Sequence, residues 1–328
     1  MQKIKMAILG AGHIARCMAD TIQRMDNVEG YAIASRDFSR AKALADEFSF
    51  AKAYGSYEDM LSDPAVELVY IATPHSHHAQ HAIQCLTADK HVLCEKAFTV
   101  NAEQAQNVLE FAKKRNLFIT EAIWPRYMPM AKKLREFCNS DKIGKIIALC
   151  GNLGYPVYNN SRINDPNLAG GALLDVGIYP LTFASIAFGD DITDITTTAV
   201  MSEHGVDMQN TITLTYRNGR TAALFSTVLS PTDRMGVIYG EKGYAIVDNI
   251  NNYEGLRIYN AQHELIEHIT RPPQITGYEY EVQAAIDSIY NGKYECMQMP
   301  HAQTIHMMKL MDSIRREWDM WYPCEQKK

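Results

Sequence analysis

Six residues near the start of the chain, Gly10-Ala11-Gly12-His13-Ile14-Ala15, constrain the fold more than any other feature. The apolar run Met6-Ala7-Ile8-Leu9 leads straight into them, and a helical periodicity over residues 14–25 leads away. G-x-G-x-x-A set between a buried strand and a helix is a turn suited to a dinucleotide pyrophosphate. Gly10 permits the tight turn, and Gly12 lets the backbone come close to the phosphates. Ala15 lets the helix pack tightly on the strand. The free amides at the helix start, around His13 and Ile14, then offer N–H groups and partial positive charge to the anion.

The residues up to 122 have the rhythm this turn demands. Strand signals at residues 3–9, 31–35, 67–72, 91–94 and 118–122 alternate with helix signals at 14–25, 39–48, 57–61, 77–88 and 101–115. Asp37 and Ser39 compete as cap of the second helix, and Asn101 caps the last. Alternation of this kind predicts right-handed β-α-β units and a doubly wound parallel sheet of the Rossmann type. The pattern changes after Ala122. A helix is expected over 128–138, a strand over 143–152 and a glycine-flanked helix over 171–188. Strands come next across 192–269, then helices over 278–291 and 302–318. Asn218-Gly219 between residues 211–217 and 221–229 marks a hairpin. The expectation is an α/β chain of two domains. Residues 1–122 bind the dinucleotide; residues 123–328 form an α+β substrate-binding and dimerisation domain on a large open mixed or antiparallel sheet.

Composition narrows the class. The chain has 328 residues, 47% hydrophobic and 21% charged, enough for two cores. A net charge of -6 argues against a nucleic-acid partner. Seven scattered cysteines without a C-x-x-C pair argue against a disulfide framework or a zinc cage, and for a reducing compartment. Lys3 and Lys5 before the first apolar run faintly imitate a signal peptide, but the run is too short. Residues 170–189 approach the length of a membrane span, yet contain Asp175 and Pro180 and read as a buried helix. A cytoplasmic protein with no membrane partner is expected.

The second strand speaks to the choice of dinucleotide. NAD sites place an acid about 20 residues past the glycine turn to hold the ribose hydroxyls. Here the strand ends Ala34-Ser35-Arg36. Ser35 and Arg36 suit a 2′-phosphate, with Arg40 one turn further on to assist, which favours NADP. The alternative is that Arg36 is a solvated loop residue, Asp37 takes the ribose, and NAD is the cofactor.

Further motifs join the glycine turn. They are Thr73-Pro74-His75 with His78, then Cys94-Glu95-Lys96, then Glu121 through Trp124-Pro125-Arg126-Tyr127, then Gly170-Gly171 through Asp175 and Tyr179. Together they resemble the glucose–fructose oxidoreductase / inositol dehydrogenase (Gfo/Idh/MocA) family, and most strongly its dimeric dihydrodiol dehydrogenase and D-xylose dehydrogenase branch. The resemblance implies an oxidoreductase moving hydride between a nicotinamide and a secondary hydroxyl of a sugar, polyol or cyclic dihydrodiol. It gives Lys96 the role of catalytic lysine and makes Asp175 and Tyr179 its second-domain partners, with Tyr179 as proton carrier. It places Thr73, Pro74, His75, His78, Glu95, Lys96 and Trp124 along the cofactor. It also implies a homodimer joined through the C-terminal sheet. The family's proline after the lysine is Ala97 here, which would loosen the loop.

The chemistry supports those roles. Oxidising an alcohol requires removing its proton as hydride departs. A phenol with a pKa near ~10 is mostly in the wrong form at neutral pH, and a neighbouring ammonium favours the phenolate. Each residue also has a plain structural alternative. Lys96 could be a solvated lysine, Asp175 a cap for the glycine turn, Tyr179 a core tyrosine, and Trp124, Arg126 and Tyr127 a packed aromatic hinge. His75, His77, His78 and His81 include an i,i+4 pair with metal-like spacing but no acidic ligand, so no metal is expected. The functional alternative is a non-catalytic NADP-binding sensor on the same fold.

Overall fold

The computed structural model describes residues 3–325. The first strands are β1 (Ile4–Leu9), β2 (Val28–Ala34), β3 (Lys52–Tyr54), β4 (Leu68–Ile71), β5 (His91–Glu95) and β6 (Ile119–Ala122). They form a parallel sheet in the order β3-β2-β1-β4-β5-β6. β1 pairs with β2 on one side and β4 on the other, so the winding reverses beside β1. Ligands of such sheets bind outside the carboxyl ends of the strands at that reversal. Helices α1 (His13–Gln23), α2 (Phe38–Glu47), α3 (Tyr57–Leu61), α4 (His75–Thr87) and α5 (Ala102–Arg115) connect the strands. Asp37, not Ser39, caps α2 by accepting from the Ser39 amide, and Asn101 caps α5 by accepting from Gln104. The short β3 carried no sequence signal, because an edge strand of three residues has no period to read.

The chain divides into two compact units, one running to Tyr127 and including Gln274–Met308, the other holding Met128–Pro273 and the residues from Lys309. These compact units do not follow the expected single division at 122/123. The returning segment contains helix α9 (Glu279–Tyr290), which buries Glu281, Val282, Ala285 and Ile286. β6 is an edge strand whose outer backbone groups need partners. The Ile119 amide donates to the Tyr294 carbonyl (3.2 Å), and the His301 ring lies 2.9 Å from the Ile119 carbonyl oxygen. Pairing across some 175 residues leaves no mark on local periodicity.

The second unit contains α6 (Pro129–Cys138), β7 (Ile146–Gly154), α7 (Ser161–Asn164), α8 (Ile178–Phe188) and strands β8 (Ile192–Met201) through β14 (Leu265–Thr270). Its eight strands take the order β14-β13-β12-β11-β7-β10-β9-β8. Only β7 and β10 (Thr221–Thr227) pair in parallel; the hairpin at Asn218-Gly219 joins β9 (Asp207–Tyr216) to β10. α8 is buried on all sides. Its Phe183 lies so close to Gly151 on β7 and Gly236 on β11 (Gly236–Gly240) that a Cβ there would meet the ring at 3.0 and 2.6 Å. The apolar stretch Pro166–Phe188 is long enough to cross a membrane, but 94% of its most apolar window is buried inside the protein, as in a core helix. The stretch expected as one helix is divided. Leu173–Gly177 forms a π turn before α8 begins. Pro180 has no N–H to return to Val176, and a wider turn accommodates that gap. The last long helix is α10 (His301–Glu317).

Candidate active site

In the first unit the site grows from the carboxyl ends of β1, β2, β4 and β5. Gly10 adopts φ +118°, and a Cβ there would stand 2.7 Å from the Ala72 carbonyl oxygen, so only glycine closes this turn. Its amide donates to Ala34 (2.9 Å), and the Ala72 amide donates to Leu9 (2.9 Å), which ties three strand tips together. A Cβ on Gly12 would meet nothing within 4 Å. The start of α1, with His13 and Ile14, therefore opens on free space, and a pyrophosphate fits that cradle.

At the tip of β2, Ser35 is buried and accepts from the Asp37 amide (3.2 Å), while Arg36 is exposed. Asp37 is occupied as a cap. The Ser39 hydroxyl and amide hold its carboxyl below the usual carboxylate range. Arg40 donates to the Ala11 carbonyl (2.9 Å), so it braces the glycine turn from outside. Thr73 and Pro74 follow β4, and α4 begins at His75, two residues before the expected start. Thr73 hydrogen-bonds His81 (3.0 Å). His78 is fully buried between the carbonyls of Thr73 (2.7 Å) and Ala97 (2.9 Å), and burial pushes its pKa down to about 4. Neutral His78 has one N–H, which serves one of the two carbonyls.

β5 ends at Glu95, whose carboxylate accepts from the Tyr70 hydroxyl and from the Lys96 amide (3.2 Å). Lys96 stands half-exposed at the tip. Beyond it, Ala97 is buried and the Lys96–Ala97 peptide is cis. The Phe98 amide donates to Glu121 on β6 (3.1 Å). Burial pushes the Glu121 carboxyl up to about 7. After β6, Trp124 stacks on Tyr278 with ring centroids 4.5 Å apart. Tyr127 donates to the Glu121 carbonyl (2.7 Å) and Arg126 to Gln298 (3.3 Å), so both are packed into this unit.

In the second unit the candidates lie on and just after the π turn. Asp175 is buried and paired with Arg162 (2.9 Å). Tyr179 is also buried, on the first turn of α8. The backbone just after the glycine turn is held by Asp207, whose carboxylate accepts from the Leu173 amide (2.8 Å) and the Asn210 side chain (2.8 Å). Tyr322 donates to the Gly170 carbonyl (2.6 Å).

Two family profiles match. Residues 4–122 match the oxidoreductase family with an NAD-binding Rossmann fold, and residues 131–246 the GFO/IDH/MocA C-terminal domain. Trans-1,2-dihydrobenzene-1,2-diol dehydrogenase of Xenopus tropicalis is 30% identical over 97% of this chain and 99% of its own length. The chain belongs to the Gfo/Idh/MocA oxidoreductase family. The Mus musculus dihydrobenzenediol dehydrogenase is 29% identical over 99% of both chains. In fold, the chain resembles a 3-ketoreductase of Actinomadura kijaniata, solved with NADP and TDP-benzene (TM-score 0.88, 23% identity, 96% and 98% covered). It also resembles an aldose-aldose oxidoreductase of Caulobacter crescentus (TM-score 0.85, 19% identity, 96% and 97% covered).

Against the Gfo/Idh/MocA pattern, Ala97 in place of proline does not leave its loop untethered. His78 on one side and Glu121 on the other hold it by hydrogen bonds. Sequence reading missed four supporting residues: Arg162, Asp207, Tyr278 and Tyr322. None lies in a motif; each reaches its partner from far along the chain, except Arg162, whose short helix is too brief to read. Among the described residues no group of three or more His, Cys, Asp or Glu is gathered to hold a metal.

Proposed function

We propose that this Gfo/Idh/MocA oxidoreductase is an NADP-dependent dehydrogenase acting on a secondary hydroxyl of a sugar, polyol or cyclic dihydrodiol. The observation that carries the reading is Lys96 at the carboxyl tip of β5, in a parallel sheet whose glycine turn leaves an open pyrophosphate cradle. Gly10, Gly12, His13 and Ile14 would hold the pyrophosphate, and Ser35, Arg36 and Arg40 the 2′-phosphate. Thr73, Pro74, His75, His78, Glu95, Lys96 and Trp124 would line the rest. NADP, when bound, supplies the hydride acceptor. Lys96 donates a hydrogen bond to the reacting oxygen and stabilises the charge that develops there. Tyr179 takes the hydroxyl proton, and Asp175, fixed by Arg162, orients the substrate through a neighbouring hydroxyl. The activities named for the relatives, on hydroxyl or carbonyl carbons of diols and sugars, support this class.

Nicotinamide absorbance across a panel of cyclic polyols, aldoses and dihydrodiols tests the reading. Turnover of at least one of these substrates is expected. Tight NADP binding with no turnover on any substrate would mark a binding protein instead.

The same proposal includes a homodimer formed by the outer face of the second unit's sheet. The strand register puts Val237, Ile246, Cys150 and Ala223 on one face, with Phe225, Tyr239 and Tyr244 beside them. Tyr239 is 42% exposed and stands opposite the stacked pair Tyr244 and Tyr259. An apolar face of this extent marks an interface. Light scattering should report a dimer at micromolar concentration, and Tyr239→Glu should shift it toward monomer. A wild-type monomer at that concentration would refute it. A cytoplasmic location is part of the proposal, supported by seven cysteines that are all free.

A further inference from the structure

The polar side chains at the carboxyl end of β7 have no part in the roles above. Tyr155 follows this strand directly. The Arg234 guanidinium lies over its ring (5.8 Å to the centroid), and Nη1 donates to the Tyr155 hydroxyl (3.4 Å). The Asn251 amide donates to the same hydroxyl (2.8 Å). Both bonds use the hydroxyl oxygen as acceptor, so the Tyr155 proton is left to donate. Among the described residues no carboxylate pairs with Arg234, and its Nε and Nη2 make no hydrogen bond within the protein. The neighbouring Asp233 is engaged by Asn152 (2.7 Å) and the Met235 amide (3.1 Å). Asn251 Oδ1 and, two residues before Arg234, Thr232 Oγ1 are buried from solvent with no partner in the protein.

We propose that Arg234, Tyr155 and Asn251 form a substrate subsite that binds the oxyanion group, carboxylate or phosphate, of an acidic sugar or polyol. The inference rests on the dehydrogenase reading above and narrows its substrate class: a sugar acid or sugar phosphate is preferred to a neutral polyol or dihydrodiol.

The subsite lies at the end of the sheet that also carries the candidate groups of the second unit. The Tyr155 amide donates to Thr227 at the end of β10 (3.2 Å), the Thr232 amide to Gly154 (3.3 Å) and the Ile250 amide to Arg234 (2.8 Å), which draws three loops together there. The π turn packs on the same end: a Cβ on Gly177 would stand 3.0 Å from Ser226 Oγ on β10. The segment that starts at Tyr155 leads directly to Arg162, which pairs with Asp175 (2.9 Å). The guanidinium is also set in place before a ligand arrives. Arg234 takes φ +60°, its amide donates to Asn152 (3.2 Å), and its side chain rests on the Tyr155 ring. Binding therefore loses little of the freedom of a long side chain. With only Nη1 engaged, the Nε–Nη2 edge offers two parallel N–H groups, the geometry that matches a carboxylate or phosphate. Tyr155 adds a third donor. Asn251 Oδ1 and Thr232 Oγ1 suit the rest of such a molecule. Buried acceptors are normally paired, and the hydroxyls of a polyol supply the donors that these two lack. A neutral diol would leave the guanidinium without its counter-charge.

Calorimetric titration with three matched open-chain polyols tests this: gluconate, glucitol 6-phosphate and neutral glucitol. NADPH is present throughout, because it fills the pyrophosphate cradle and cannot accept hydride. At least one of the two anions should bind about 10-fold or more tightly than glucitol, and the tighter one identifies the group. Arg234→Gln should reduce that ratio to about 2-fold or less. Asn251→Asp keeps the shape but sets a carboxylate beside the anion, and should do the same. Urea unfolding shows which variants are folded, and either one alone decides the matter. Equal affinity for glucitol and both anions in the wild type would overturn the proposal. So would a lack of measurable binding at millimolar concentration, or a preference for the anion that survives the substitutions. Failure of the dehydrogenase reading looks different: the anions would bind with their full preference, yet no acidic polyol would change nicotinamide absorbance when supplied with NADP.

Discussion

The molecule contains two glycine turns that precede candidate site residues, and they are held in different ways. The turn at Gly10 is fixed mainly by backbone: the Ala34 carbonyl accepts from its amide, and the Ala72 carbonyl leaves no room for a Cβ, with Arg40 bracing the turn from outside at the Ala11 carbonyl. At Gly170-Gly171 both glycine amides also donate to backbone, at Asp165 and Ile163, but side chains from elsewhere complete the turn: Asp207 on β9 holds the Leu173 amide, and Tyr322 holds the Gly170 carbonyl. A Cβ on Gly171 would stand 2.4 Å from the Asp207 carboxylate. Strand geometry makes the first turn a portable module, recognisable in a dozen residues. The second is a product of its own domain, and its sequence motif conceals what supports it.

The largest effects should come from the groups assigned to proton transfer, one in each unit. Lys96→Met and Tyr179→Phe should each lower kcat by about 10²-fold or more. The double variant should lose far less than the product of the two, since residues acting as one device are not additive. NADP affinity should survive Tyr179→Phe. Near-normal turnover in that variant would mean that His75 or a water held by Asp175 moves the proton.

A smaller effect should isolate the first unit. Arg36→Ala removes a charge-assisted contact and should cut the NADP:NAD affinity ratio by about 10- to 100-fold, read by calorimetry. It should leave NAD binding at the Gly10 turn intact. Equal affinity for the two cofactors in the wild type would instead support NAD as the natural partner.

The smallest change should expose the side-chain support of the second turn. Asp207→Ala leaves the Leu173 amide and the Asn210 side chain without their acceptor and should destabilise the protein by about 2 kcal/mol, measured by urea unfolding. Asp207→Asn adds a pH signature. Burial pushes the Asp207 pKa up to about 6, well above that of an aspartate in the unfolded chain. Between those two values the folded chain keeps a proton that the unfolded chain releases, and wild-type stability falls as pH rises through the interval. Asparagine does not titrate, so the variant's deficit should be greatest below about pH 4 and narrow as the pH rises toward 7.5. A deficit that does not change with pH would show that Asp207 does not titrate there.

The sequence by itself determined the parallel sheet, the cofactor turn and the family, because strand–turn–helix units encode them within short windows. It also put Lys96 at a strand tip and joined Asp175 and Tyr179 in one motif. Tertiary structure decided the rest. It returned residues 274–308 to the first unit to cover the edge of β6. It put a π turn where an unbroken helix was expected, through a proline whose effect depends on its register. It also supplied His78 and Glu121 as tethers for a loop that lacks its proline. Periodicity and spacing report what a residue does to its neighbours along the chain. Buried hydrogen bonds between distant residues depend on packing, and only the folded chain brings those residues together.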